Sequence, residues 1–170
     1  IANPDDDAAF LRAVTSPKRE VGAGSLEKLA QMARHAHIPL SLAAQNSSYV
    51  NALSARPAAG LSEFMRLIVR LRAQSKSAKA ADIVRAVVSE SGILGQLRLE
   101  TKNEALFLRR KENLDELAQW FEAERRPSGA GDLAAQLALL SNADRGDPGN
   151  QVRLMSLHSA KGLAFRCVFI

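Results

Sequence analysis

The stretch Leu61–Leu71, L-S-E-F-M-R-L-I-V-R-L, sets Leu61, Phe64, Met65, Ile68 and Leu71 at i, i+3, i+4, i+7 and i+10. That spacing is one apolar stripe on a helix of 3.6 residues per turn. Arg66, Arg70 and Arg72 lie mostly off the stripe, which reads as a solvated face or as a row of phosphate contacts. The period recurs downstream. Ile83, Val84, Val87 and Val88 mark another helix, which ends near Gly92. The longest periodic run extends from about Thr101 to Glu124, with Leu106, Leu114, Leu117 and Phe121 inward. Trp120, the only tryptophan, is expected in the core or as a lid on it. Arg56-Pro-Ala-Ala-Gly60 reads as a break ahead of the first stripe.

Composition agrees with a helical architecture. The 170 residues are 46% hydrophobic and only 5% aromatic, so the core must be aliphatic, rich in Ala and Leu. Twenty-three Lys and Arg against 18 Asp and Glu leave +5, compatible with a nucleic-acid surface without requiring one. The single cysteine, Cys167, excludes an internal disulfide and a Cys-rich zinc site, and is read as a small buried hydrophobe. No apolar run approaches the ~20 residues of a spanning helix, and a cytoplasmic protein is expected. Ile1 replaces an initiating methionine and Ile170 ends inside an apolar run, so both ends are expected to be internal to a longer chain.

Upstream, Asn3-Pro-Asp-Asp-Asp7 reads as a helix start: Asn3 as cap, Pro4 at the first helical position, three acids at the positive dipole end. Consecutive residues point different ways around a helix, which argues against reading the aspartates as a metal cluster. Phe10, Leu11 and Val14 give the stripe, and Ser16-Pro17 stops it. Then comes Pro17-Lys-Arg-Glu-Val-Gly-Ala-Gly-Ser25, with a helix from Leu26 to Arg34 capped by Ser25. Lys18 and Arg19 beside a helix N-terminus, with Gly22 and Gly24 allowing close approach, suit a phosphate backbone. On chemistry alone the stretch equally suits an ordinary helix–turn–helix corner. His35 and His37 are two residues apart and face apart, so they read as cations at a helix C-terminus rather than as metal ligands. Leu40 to Asn46 reads as a short helix. A linker at Arg126–Gly131 precedes a helix with Leu133, Leu137 and Leu140. The turn-rich N-A-D-R-G-D-P-G-N at 142–150 reads as a hinge.

The chain closes with Q-V-R-L-M-S-L-H-S-A-K-G-L-A-F-R-C-V-F-I, residues 151–170. It reads as a buried strand, a polar turn at His158–Gly162, and a second apolar, β-rich run from Phe165. Such a loop, with Lys161 and His158, suits an anion or serves as a plain structural turn. The wording L-M-S-L-H-S-A-K-G-L-A-F resembles motif V of the UvrD/Rep/PcrA family, superfamily 1 DNA helicases. Asn3–Arg12 and Ser16–Leu26 resemble the start of that family's 2B subdomain, where the glycine turn is similar to a helix-hairpin-helix. Arg110–Leu117, R-K-E-N-L-D-E-L, resembles the family's R-x-E-N-L-x-E-L helix.

The resemblance implies a helical 2B-like subdomain over 1–147 and a return into the RecA-like α/β domain 2A over 148–170. It implies that Lys18, Arg19, Gly22, Gly24 and Ser25 touch duplex phosphates. It places Ser156, His158 and Ser159 on single-stranded DNA, with Lys161 and Gly162 near the nucleotide. The parent implied is an ATP-dependent 3′ to 5′ DNA helicase using ATP and magnesium, with replication or repair proteins as partners. Ala164 departs from the family's G-L-E-F glutamate, so the ribose contact does not carry over. No G-x-x-x-x-G-K-[ST] loop occurs, so the piece is expected not to hydrolyse ATP. The other readings are a stand-alone duplex-DNA-binding module and a helical protein-interaction domain. The expected fold is mostly α, with roughly seven helices and a short C-terminal β segment.

Overall fold

The computed structural model describes residues 1–123 together with Ala135, Lys161, Cys167 and Val168. The chain divides into two compact units, Ile1–Gln136 and Leu137–Ile170. Among the described residues there are eight helices and no strand: α1 (Asp7–Thr15), α2 (Ala23–Ala36), α3 (Leu40–Ala43), α4 (Ser47–Asn51), α5 (Ala55–Gln74), α6 (Ala80–Glu90), α7 (Ile93–Glu100) and α8 (Glu104–Ala123). All eight belong to the first unit. In the second, Lys161 lies in an exposed turn, while Cys167 and Val168 are exposed and take no regular structure. The expectations of a buried Cys167 and of a strand at these two positions are therefore not met. The remainder of the expected β segment lies outside the described residues, as does most of the helix expected after the Arg126–Gly131 linker; Ala135 is helical.

α1 starts later than its sequence suggests. Its cap is Asp6, whose Oδ1 accepts the Ala9 N–H at 2.8 Å, while Asn3 makes a local turn by accepting the Asp5 N–H at 3.0 Å. Asp7 serves a neighbour: its Oδ1 accepts the N–H of Leu40 at 2.8 Å, satisfying a first-turn donor of α3. Ser41, a buried polar residue, donates its hydroxyl to the Pro4 carbonyl at 2.7 Å. Polar groups near the chain start thus anchor α3 to α1.

α2 ends at His37, which adopts a left-handed conformation at φ 53°. The Ile38 N–H then reaches back to the Ala33 carbonyl at 3.1 Å, closing the helix end with a turn usually made by glycine.

The largest correction concerns α5. It begins at Ala55, capped by Ser54, so the Arg56–Gly60 stretch is helix rather than break. Pro57 sits in the first turn, where its missing N–H removes no intrahelical bond. The expected stripe is buried at Leu61, Phe64, Met65 and Leu71, with Leu67 added and Ile68 half-buried.

Two cores result. The larger gathers Phe10, Val14, Leu29, Leu40, Leu61, Phe64 and neighbours from α1 to α5. The smaller pairs α6 with α8 through Ala80, Ala81, Ile83, Val84, Ala118 and Phe121. Small alanines on both helices permit close approach there. α7 has no buried residue. On α8, Phe121 is inward as expected, Leu114 and Leu117 are half-buried, and Leu106 and Trp120 are exposed. Trp120 packs edge-on against Phe121 with ring centroids 4.7 Å apart.

Exposed ion pairs stitch the helices at the surface: Arg70–Glu90 joins α5 to α6 at 2.6 Å, and Arg85–Glu122 joins α6 to α8. The Arg85 hydrogen bond, and then its charge, hold the Glu122 carboxyl below its ordinary 4.5. A lowered carboxylate pKa gives stability that is present above the ordinary range and lost as pH falls through the lowered value. In an NMR titration Glu122 should ionise below 4.5, and Arg85→Met should raise its midpoint. For the core, Leu29→Ala at a position with 0% exposure should cost about 2–5 kcal/mol in urea unfolding. Leu99→Ala, at 88% exposure, should stay within about 0.5 kcal/mol of the parent.

Candidate nucleic-acid interface

Residues 16–25 form a corner between α1 and α2. Thr15 bends back to its own helix, donating its hydroxyl to the Leu11 carbonyl at 2.8 Å, and the Ser16 N–H ends the turn on the Arg12 carbonyl. The chain then crosses α5. A Cβ at Gly60 would lie 1.9 Å from the Arg19 carbonyl oxygen and 3.3 Å from Val21 Cγ2. Only glycine at position 60 lets this backbone lie so close to the helix. Val21, 8% exposed, plugs into the larger core just beyond.

Arg19 turns inward. Its Nη1 donates to the Ala13 carbonyl at 2.8 Å and the Pro17 carbonyl at 2.7 Å, and its Nη2 donates to the Ser91 carbonyl at 2.9 Å. Ala13 lies in the last turn of α1, and Ser91 is the C-cap of α6. The guanidinium therefore sits at the negative ends of two helices and satisfies carbonyls that have no intrahelical donor. Its charged plane also stacks over the Phe64 ring at 5.0 Å from the centroid. Burial pushes the guanidinium below its ordinary value, with Glu63 pulling the other way. Arg19, expected among the phosphate contacts, is half-buried and gives three of its N–H groups to these carbonyls.

The remaining residues of the corner face outward. Lys18 is exposed and belongs to no ion pair among the described residues. Gly22, not Ser25, is the N-cap of α2, with φ −82° and ψ 167°, a conformation open to any residue. Ser25 is already inside the first turn, its N–H bonded to the Gly22 carbonyl at 3.1 Å. The N–H groups of Ala23 and Gly24 have no acceptor among the described residues. A Cβ at Gly22 or Gly24 would meet nothing within 4 Å. Nothing in the fold requires glycine at either position.

Beside the corner runs a groove of about 1270 Å³ between the Pro17–Glu20 backbone, α5 and α7. Lys18, Arg19, Arg56, Arg66 and Arg70 line it, but so do Glu20, Glu63, Glu90 and Glu100, so its charge is nearly balanced. Arg70 is paired with Glu90, and Arg72 donates to the Ile1 carbonyl at 3.3 Å. The α5 arginines are thus divided between structural ties and free surface. Sequence periodicity missed Gly60, Arg19's inward turn and Ser91. The available signal was a glycine inside a helical stripe, which marks a close backbone approach. In the second unit Lys161 is exposed, while Ser156, His158, Ser159, Gly162 and Ala164 lie outside the described residues.

The sequence profile of the UvrD-like helicase C-terminal domain matches residues 1–170. A protein named ATP-dependent DNA helicase PcrA from Leuconostoc citreum is 32% identical over 180 residues, covering 100% of this chain and 24% of the relative. Proteins of the same name from Bacillus subtilis (strain 168) and Staphylococcus aureus (strain Mu50 / ATCC 700699) are 31% and 33% identical, again over 100% of this chain and 24% of theirs. The chain spans about a quarter of the length of these relatives. With a profile matched from end to end and relatives above 30% identity that cover all of it, the chain belongs to the UvrD-like helicase C-terminal domain family.

Proposed function

We propose that this chain is the duplex-contacting 2B-type subdomain, with its return into the RecA-like domain 2A, of an ATP-dependent 3′ to 5′ DNA helicase. The boundary between the two parts falls near residue 147 in this reading. The observation that carries it is the bare N-terminus of α2. Gly22 and Gly24 leave open space where side chains would fit, the N–H groups of Ala23 and Gly24 have no acceptor among the described residues, and Lys18, a few residues earlier in the chain, is exposed. A glycine in a helix costs about 0.5–1 kcal/mol relative to alanine, a cost the fold itself does not require at Gly24. Close approach by a phosphate backbone accounts for it.

In this reading Lys18, Gly22, Gly24 and Ser25 contact duplex phosphates through one ammonium and backbone donors. Ser156, His158 and Ser159 meet single-strand phosphates, and Lys161 and Gly162 lie near the nucleotide. The sequence has no G-x-x-x-x-G-K-[ST] loop, so in this reading phosphoryl transfer with ATP and magnesium belongs to other parts of the helicase. A cytoplasmic setting and replication or repair proteins as partners complete the proposal. No helix among the described residues is long and apolar enough to cross a membrane.

Titrating labelled duplex and single-stranded DNA at two salt concentrations tests the reading. Weak, salt-sensitive duplex binding is expected, and Lys18→Ala should lower the logarithmic salt slope by roughly one. Binding that is absent at low salt would favour a helical protein-interaction domain instead.

A further inference from the structure

We propose that Arg19 is the positioning residue of the duplex-contacting corner: it holds the α2 N-terminus in place without touching DNA, and it ties that corner to the α6–α7 joint. The inference rests on the DNA-binding reading above but assigns Arg19 a different part in it. Three features converge. First, the guanidinium reaches carbonyls from three separate places: Ala13 on α1, Pro17 in the corner and Ser91 at the end of α6. The last is 72 residues away in sequence, making this the longest-range polar tie to the corner among the described residues. Second, the side chain is clamped over Phe64, which itself packs edge-on against Phe10 of α1 at 5.7 Å. Third, its own carbonyl is pressed against α5 at Gly60.

Side chain and backbone of one residue are therefore fixed on different elements. The chain has little freedom to rotate between that point and Gly22, three residues on. Glu20, between them, sits at φ 60°, a left-handed conformation that an L-residue adopts only when its surroundings impose it. The direction in which the Ala23 and Gly24 N–H groups point is thus set at Arg19. Ser91 immediately precedes Gly92, whose φ of 85° turns the chain from α6 into α7. Movement at that joint reaches the corner through the same guanidinium.

Gly60→Ala changes no charge and lies on α5, outside the proposed contacts, so its effect on DNA binding cannot be a lost phosphate partner. Arg19→Lys keeps the charge but replaces two separate donor nitrogens with one, which cannot span Pro17 and Ser91 together. Duplex affinity of the whole 170-residue chain and of both variants would be measured at low salt, with folding checked by circular dichroism. Phe121→Ala, in the separate α6–α8 cluster, serves as a variant destabilised away from the corner. Gly60→Ala and Arg19→Lys should each bind duplex about tenfold more weakly or worse, the effect of misplacing one hydrogen bond to a charged group. Phe121→Ala, while folded, should bind like the parent. If one variant fails to fold, the other decides. Parent-like binding by a folded Gly60→Ala or Arg19→Lys, or equal weakening by Phe121→Ala, would overturn the positioning role. Failure of both to fold would overturn it too, leaving Arg19 a folding residue only. No salt-sensitive duplex binding by the parent chain would instead remove the DNA-binding reading on which the role rests.

Discussion

The contact between the Arg19 carbonyl and α5 at Gly60 is the constraint on which the arrangement of α1, α2, α5 and α6 depends. A polar backbone crossing a helix at this distance is tolerated only when neighbouring donors and acceptors are satisfied. Arg19 meets that condition from its other end, by giving its donors to carbonyls that two helix termini leave unpaired. A hydrophobic residue in its place would fill the volume over Phe64 but would leave three carbonyls without this donor. Near two negative helix ends and an aromatic face, the cation recovers in hydrogen bonds part of what it loses in hydration, and the loss still holds the guanidinium below its ordinary value.

α5 provides the common support. Its stripe of Leu61, Phe64 and Met65 completes the larger core, and Leu67 and Leu71 continue the buried face toward its C-terminal end. α6 follows from it, held back by the exposed Arg70–Glu90 pair, and in turn carries α8 through a small-residue interface. Exposed ion pairs contribute little each in water, about 0–1 kcal/mol. Register therefore comes from the shapes of the two apolar clusters, with Arg19 as the polar tie between the first cluster's corner and the end of α6.

Much of this was legible in the sequence, and what was not has physical reasons. The α5 stripe and the α8 run were readable because each buries one side over several turns, and that repetition is what periodicity detects. α4, five residues long, and α7, with no buried residue, gave no comparable repetition. The α5 start was misread because Pro57 and Gly60 count as breakers in isolation. In the fold the first sits where a proline costs nothing, and the second is required by a crossing chain. Asn3 was taken for a cap because the three aspartates after it can all begin a helix. The structure chose Asp6 and assigned Asp7 to α3. At the corner, Lys18 is exposed, and Gly22 rather than Ser25 caps α2. The inward turn of Arg19 was not legible, because a guanidinium's partners are long-range carbonyls that no local pattern reveals.

That separation of roles is what the proposed duplex-contacting corner would have to satisfy. A loop that binds a phosphate backbone needs bare amides and mobile charge at its surface, and both work against a fixed conformation. Gly22 and Gly24 supply the bare backbone and weaken local order. Lys18 supplies a hydrated charge on a flexible stem. Neither can hold the loop still, so rigidity has to come from a residue facing the other way. Of the two adjacent basic residues, the lysine is left to solvent, while the arginine, with its planar fork, takes three carbonyls of the fold. The Lys18–Arg19 pair is thus split between solvent and the ties that fix the corner's backbone.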